Sequence, residues 1–150
     1  MVGKSTLMAA TFGFITLIFS SQVYGQADVI EKRQKLMKGQ SAAAKAIKGA
    51  VAEKDYATVE AKAKDLMNSA NQIPDLFPKG SNKGKTKAKA EIWEKSAEFK
   101  KDAKALNKAA SELAAAAKSK DDAAIAVKVK AIGETCSTCH KEFRAQKYGE

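Results

Sequence analysis

Residues 92–113 read IWEKSAEFKKDAKALNKAASEL. Ile92, Phe99, Leu106 and Leu113 fall seven apart, with Ala103 and Ala110 between them. A seven-residue apolar repeat keeps one face of a helix turned towards its neighbours, which is the seam of a helical bundle. The periodicity predicts a helix over residues 86–119.

The same logic extends in both directions. Towards the N-terminus, Ile30, Arg33, Met37, Ala44, Ile47 and Val51 recur at helical spacing and predict a helix over residues 28–53. Asp55 is placed to cap a second helix with Tyr56, Val59, Ala63, Leu66, Met67 and Ala70 on its apolar stripe. Pro74, Pro78, Gly80 and Gly84 then mark a long loop. Towards the C-terminus, Asp121 or Asp122 caps a last helix on which Ile125, Val129, Ile132, Cys136, Cys139 and Phe143 share a face. Alternation at residues 126–129 is too short for a strand. The expectation is an all-α protein, an antiparallel four-helix bundle.

Composition agrees. The chain has 150 residues, 45% hydrophobic but only 7% aromatic, with 2 Pro and 9 Gly. That suits Ala-rich helices in one domain and excludes a multidomain enzyme. Two Cys exclude a disulfide-rich scaffold, and a single His excludes any site that needs two. The net charge of +10 suits acidic partners. Residues 1–25 read as a cleavable secretory signal: Lys4, then an apolar run over residues 6–19, then Val23 and Gly25 ahead of the cut. A cut after Ala27 fits nearly as well. The run is shorter than the ~20 residues that span a bilayer. Residues 26–150 form the mature domain, expected in the periplasm.

The chemistry lies at residues 136–140, CSTCH. C-x-x-C-H is the pattern of covalent c-type haem attachment. Residues three and four apart share a helix face, so Cys136 and Cys139 reach one edge of a porphyrin while His140 turns towards the iron as axial ligand. A zinc site needs about four ligands, and these three are the only Cys and His present. A thioredoxin-like pair would want a βαβ context. Export favours haem over a free thiol pair.

With these motifs the chain resembles the class II c-type cytochromes, the family of cytochrome c′ and its low-spin relatives. The resemblance rests on CSTCH near the C-terminus followed by KEFR at residues 141–144. It extends to RQKLMK at 33–38, IPDLFPKGS at 73–81 and EIW at 91–93. It implies a four-helix bundle holding one haem c, without enzymatic activity. It also implies that Met37 occupies the distal position. His140/Met37 ligation would make a low-spin electron carrier; the alternative is five-coordinate iron that binds nitric oxide or carbon monoxide. Arg33 and Arg144 are implied to lie near the haem or its propionates, and Phe77 and Pro78 to cover a haem face. Trp93 packs in the bundle or approaches the haem edge, and Met67 fills core.

Lys79, Lys83, Lys85, Lys87 and Lys89 form a run with no acid among them. It reads either as a docking patch for an acidic redox partner or as a solvated loop. Without interleaved aromatics it does not suggest nucleic acid. The resemblance implies frequent homodimers through the first two helices, which Ala and Lys on those faces leave undecided.

Overall fold

The computed structural model describes residues 20–147, so most of the expected leader lies outside the described residues. Four long helices carry the fold: α1 (Ser20–Ala52), α2 (Tyr56–Gln72), α4 (Ser96–Lys118) and α5 (Asp122–Phe143). A single turn, α3 (Glu91–Glu94), precedes α4. No strand occurs among the described residues; one isolated antiparallel bridge joins Ala88 to Arg144. None of the described helices is long and apolar enough to cross a membrane.

The two tight helix connections use one device. Lys54 and Lys120 adopt left-handed backbone, φ 54° and 55°. Behind each, the next amide reaches back to close a Schellman turn, Asp55 N to Ala50 O at 2.9 Å and Asp121 N to Ala116 O at 3.1 Å. Those same aspartates then cap the following helix, Asp55 accepting from Thr58 N at 3.0 Å and Asp121 from Ala124 N at 2.9 Å. Turns this short force antiparallel neighbours. Asp122 ties the two connections together, accepting from Tyr56 Oη at 2.9 Å and Lys54 Nζ at 3.0 Å.

The seam of residues 92–113 is the core. Ile92, Phe99, Ala103, Leu106, Ala110 and Leu113 are all buried, against Val59, Ala63 and Leu66 of α2 and Ile125 and Ile132 of α5. On α1, Ile30, Arg33 and Ile47 are buried; Ala43 and Ala50 are buried where Ala44 and Val51 are only partly so.

The expected helix over residues 86–119 is corrected at its start. Residues 86–90 leave the helix and run against the chain that exits α5: Lys89 N donates to Phe143 O at 3.1 Å and Ala145 N to Lys87 O at 2.8 Å. The stretch TKAKA has no apolar stripe to bury as a helix, and its backbone groups find partners there instead. A second break falls at Lys95 (φ −108°, ψ 45°). It isolates α3, whose Trp93 Nε1 donates to Phe77 O at 3.0 Å and Pro78 O at 2.9 Å. α1 extends back beyond residue 28, with no proline in residues 20–28 to stop it.

The helices do not close evenly. α2 packs along α4, α4 along α5 and α1 along α2, whereas α1 and α5 barely touch. That open seam holds the site.

Candidate functional site

A cavity of about 460 Å³ lies between α1 and α5, within the range of small-molecule and cofactor pockets. α5 contributes Thr135, Cys136, Cys139, His140 and Phe143; α1 contributes Arg33, Gln34 and Met37. Phe99, Asp102, Ala103 and Leu106 of α4 form the floor, and the strap of residues 73–90 adds Ile73, Phe77, Thr86 and Lys87. Arg144 stands at the exit of α5. The six site residues expected from the sequence, Arg33, Met37, Cys136, Cys139, His140 and Arg144, therefore face one space although 111 positions separate the first from the last. Phe77 lines it, but Pro78 and Trp93 do not. Trp93 instead buttresses Phe77, ring centroids 6.3 Å apart. Met67 is half-buried away from the cavity, as core filling requires.

The aromatic wall is continuous. Phe77 meets Phe99 edge-on at 4.9 Å, and Phe99 meets Phe143 edge-on at 5.3 Å. This apolar lining suits a flat hydrophobic group.

The two thiols are free and half-buried, one helical turn apart. Burial raises the Cys136 thiol above its ordinary value. Burial, then the negative charge of Asp102, with Cys136 and Glu142 adding to it, pushes the Cys139 thiol up to about 12. Both are thus protonated at neutral pH. His140 stands at the rim, and its basicity is lowered by burial of its inner side and by the positive Arg144.

Arg33 carries the clearest signal. It is 3% exposed, and its Nη2 donates to the carbonyl oxygen of Ser81. Its guanidinium carbon lies 4.7 Å from the Phe77 ring centroid. Its Nε and Nη1 are buried without a hydrogen-bond partner. Burial lowers the group to about 10, so it remains a cation. A buried guanidinium with unmet donors on a cavity wall fits a ligand carboxylate, such as a haem propionate. The donors present fit haem in every part: two thiols and an imidazole on one helix face, an apolar wall, and an arginine edge for acid groups. Among the described residues no group of three or more His, Cys, Asp or Glu is arranged to hold a bare metal ion.

Asp102 is the acidic lining residue that the sequence reading missed. Its only signal is its place beside Ala103, on the flank of the heptad seam.

The family model for cytochrome C′ matches residues 28–144. The chain is 36% identical over 146 residues to the cytochrome c′ of Rhodospirillum rubrum, covering 95% of this chain and 99% of that protein. It is 34% identical over 147 residues to the cytochrome c-556 of Agrobacterium fabrum, covering 96% and 97%. Among solved structures, a cytochrome c′ with an unusual ligand-controlled dimer dissociation superposes with a TM-score of 0.76. That pair is 28% identical, over 81% of this chain and 97% of the other. Bundle, cavity and CSTCH helix thus meet in one protein carrying a covalent c-type haem, and the chain belongs to the cytochrome c′ family.

Proposed function

We propose that this chain is a periplasmic, non-enzymatic haem protein that takes nitric oxide or carbon monoxide, as a cytochrome c′. The observation that carries the reading is the apolar cavity on which CSTCH and the unpaired edge of Arg33 converge. The family match supports it, as does a relative whose dimer dissociation is controlled by a ligand. The bound haem supplies an iron that exchanges one electron and takes a diatomic ligand.

The chain's own residues do the rest. Cys136 and Cys139 would hold the haem as thioethers, and His140 would supply an imidazole to its iron. Arg33 and Arg144 would offer positive charge to its carboxylates. Ile73, Phe77, Phe99 and Leu106 exclude water and favour an uncharged diatomic over an anion. The exposed Lys79 and Lys83 of the strap, with Lys38 and Lys87 on the cavity, suit an acidic redox partner. A groove of about 490 Å³ between α1 and α2, lined by Gly39, Ala42, Ala43 and Ala46, is the face proposed for a homodimer.

A second reading has one observation in its favour: Met37 lines the same cavity as His140. A Met37 thioether on the iron would make a low-spin electron carrier.

One experiment decides. The protein is produced with the haem-attachment machinery, and the spectrum of its reduced form is recorded before and after carbon monoxide. Broad high-spin bands and prompt binding establish the cytochrome c′ reading. Sharp split bands that resist carbon monoxide, and become high-spin in Met37→Ala, establish the second. Mass spectrometry of the same sample should show one added haem and loss of the leader.

A further inference from the structure

The charges on the cavity are uneven. Arg33, Lys38, Lys87 and Arg144 are cations, and Asp102 of α4 is the one carboxylate among the lining residues. It sits one helical turn from Phe99, which touches both Phe77 and Phe143, so its backbone position is fixed by the aromatic wall. The side chain is only half-exposed. Its burial, with Glu142 and Glu98 adding like charge against the pull of Lys101, disfavours its ionised form. Glu142, whose like charge acts on Asp102, is itself held by Lys95 Nζ at 2.7 Å. Asp102 also acts on Cys139, next in the chain to His140.

We propose that Asp102 is a positioning residue that sets the reduction potential of the haem iron, its carboxylate on the cavity wall favouring the ferric form. Oxidation of ferrous haem adds one positive charge inside the cavity. A carboxylate charge on the lining stabilises that added charge, and it does so more strongly than an exposed one because the local dielectric is low; the added charge in turn favours ionised Asp102. The charge also opposes the four lining cations, whose field favours the ferrous form. This inference rests on the haem assignment above, and it holds whether the iron is five- or six-coordinate.

The test is a spectroelectrochemical titration of the holoprotein and three variants at neutral pH. Asp102→Asn keeps the shape and removes the charge. It should raise the midpoint potential, so that the ferrous-to-ferric ratio at a fixed applied potential rises several-fold. Asp102→Glu should keep the potential close to that of the parent. Glu134→Gln removes an exposed carboxylate from α5, with the Glu134 side chain 65% exposed, and should shift the potential far less than Asp102→Asn does. An unchanged or lower potential in a haem-loaded Asp102→Asn overturns the inference, as does an equal rise in Asp102→Glu. If the unmutated protein carries no covalent haem, the haem assignment falls as well, so the two failures are told apart by the haem content of the starting material.

Discussion

Arg33 donates Nη2 to the carbonyl oxygen of Ser81, 48 residues further along the chain, while its Nε and Nη1 stay buried and unpaired. One side chain therefore holds the strap with one edge and offers the other to the cavity. Gln34, next on α1, holds the strap again by donating Nε2 to Lys85 O at 3.0 Å.

The first prediction follows from that division. In the haem-free chain Arg33→Met removes a desolvated cation with unmet donors and also loses the Ser81 bond, so the net change should stay within about 1 kcal/mol. In the haem-loaded protein the same variant deprives a carboxylate of its partner and should cost roughly 1.5–3 kcal/mol. Urea titrations of both forms check it. Equal losses in the two forms would show that Arg33 serves only the strap.

Attachment should depend on both sulfurs. Cys136→Ala or Cys139→Ala should leave one thioether, and the double variant none, so that acid–organic solvent extracts the haem from the double variant alone. His140→Ala should retain the covalent haem mass but lose the native axial spectrum. A native spectrum in His140→Ala refutes the ligand assignment.

The connection at Lys120 holds an L-residue in left-handed backbone, which costs about 1–2 kcal/mol relative to glycine. Part of that gain is offset by the extra freedom glycine gives the unfolded chain. Lys120→Gly should therefore stabilise the protein by about 0.5–1 kcal/mol, read as a rise in Tm. A fall in Tm would mean that the lysine side chain contributes more than its backbone strain costs.

Asp122 predicts an acid response. Its hydrogen bonds from Lys54 and Tyr56 hold its carboxyl below the usual range in the folded protein. A lowered folded pKa contributes stability at pH above the unfolded value, and that contribution is lost as pH falls through the folded value. Melting of the parent and of Asp122→Asn should thus differ at neutral pH, begin to converge near the unfolded carboxylate value of about pH 4, and meet only below the lower folded value. A gap that stays constant down to pH 2 would contradict it.

The partner surface makes a salt-dependent prediction. If the exposed strap lysines steer an acidic protein, oxidation by anionic ferricyanide should slow as salt rises. Lys79→Glu with Lys83→Glu should weaken that dependence more than reversal of Lys45 and Lys48 on α1.

Much of the fold is legible in the sequence because burial and periodicity coincide. Ile92, Phe99, Leu106 and Leu113 could have no other common face, and Asp55 and Asp121 stand where caps must stand. Residues 86–90 mislead because Lys and Ala are good helix formers, while the partners that claim their backbone lie at residues 143–145, beyond the reach of any local signal. In the site, CSTCH announces itself by spacing. Arg33 and Met37 are legible only through resemblance, since an arginine on an apolar stripe looks like an interruption until its cavity is seen. Asp102 gives only a faint sign, its place beside Ala103, because a carboxylate flanking a seam reads as ordinary solvated surface.

The weak contact between α1 and α5 has a consequence for how the molecule comes apart. Three walls of the bundle are protein; along the fourth run the strap and the side chain of Arg33, and on the proposed reading the haem would complete it. Cofactor loss then removes a keystone from one side only. Without haem, amides in the first half of α1 should exchange with solvent soonest and proteases should cut there first. The α2–α4–α5 unit, buried around Leu66, Leu113 and Ile125, should persist as the remnant from which the holoprotein is rebuilt.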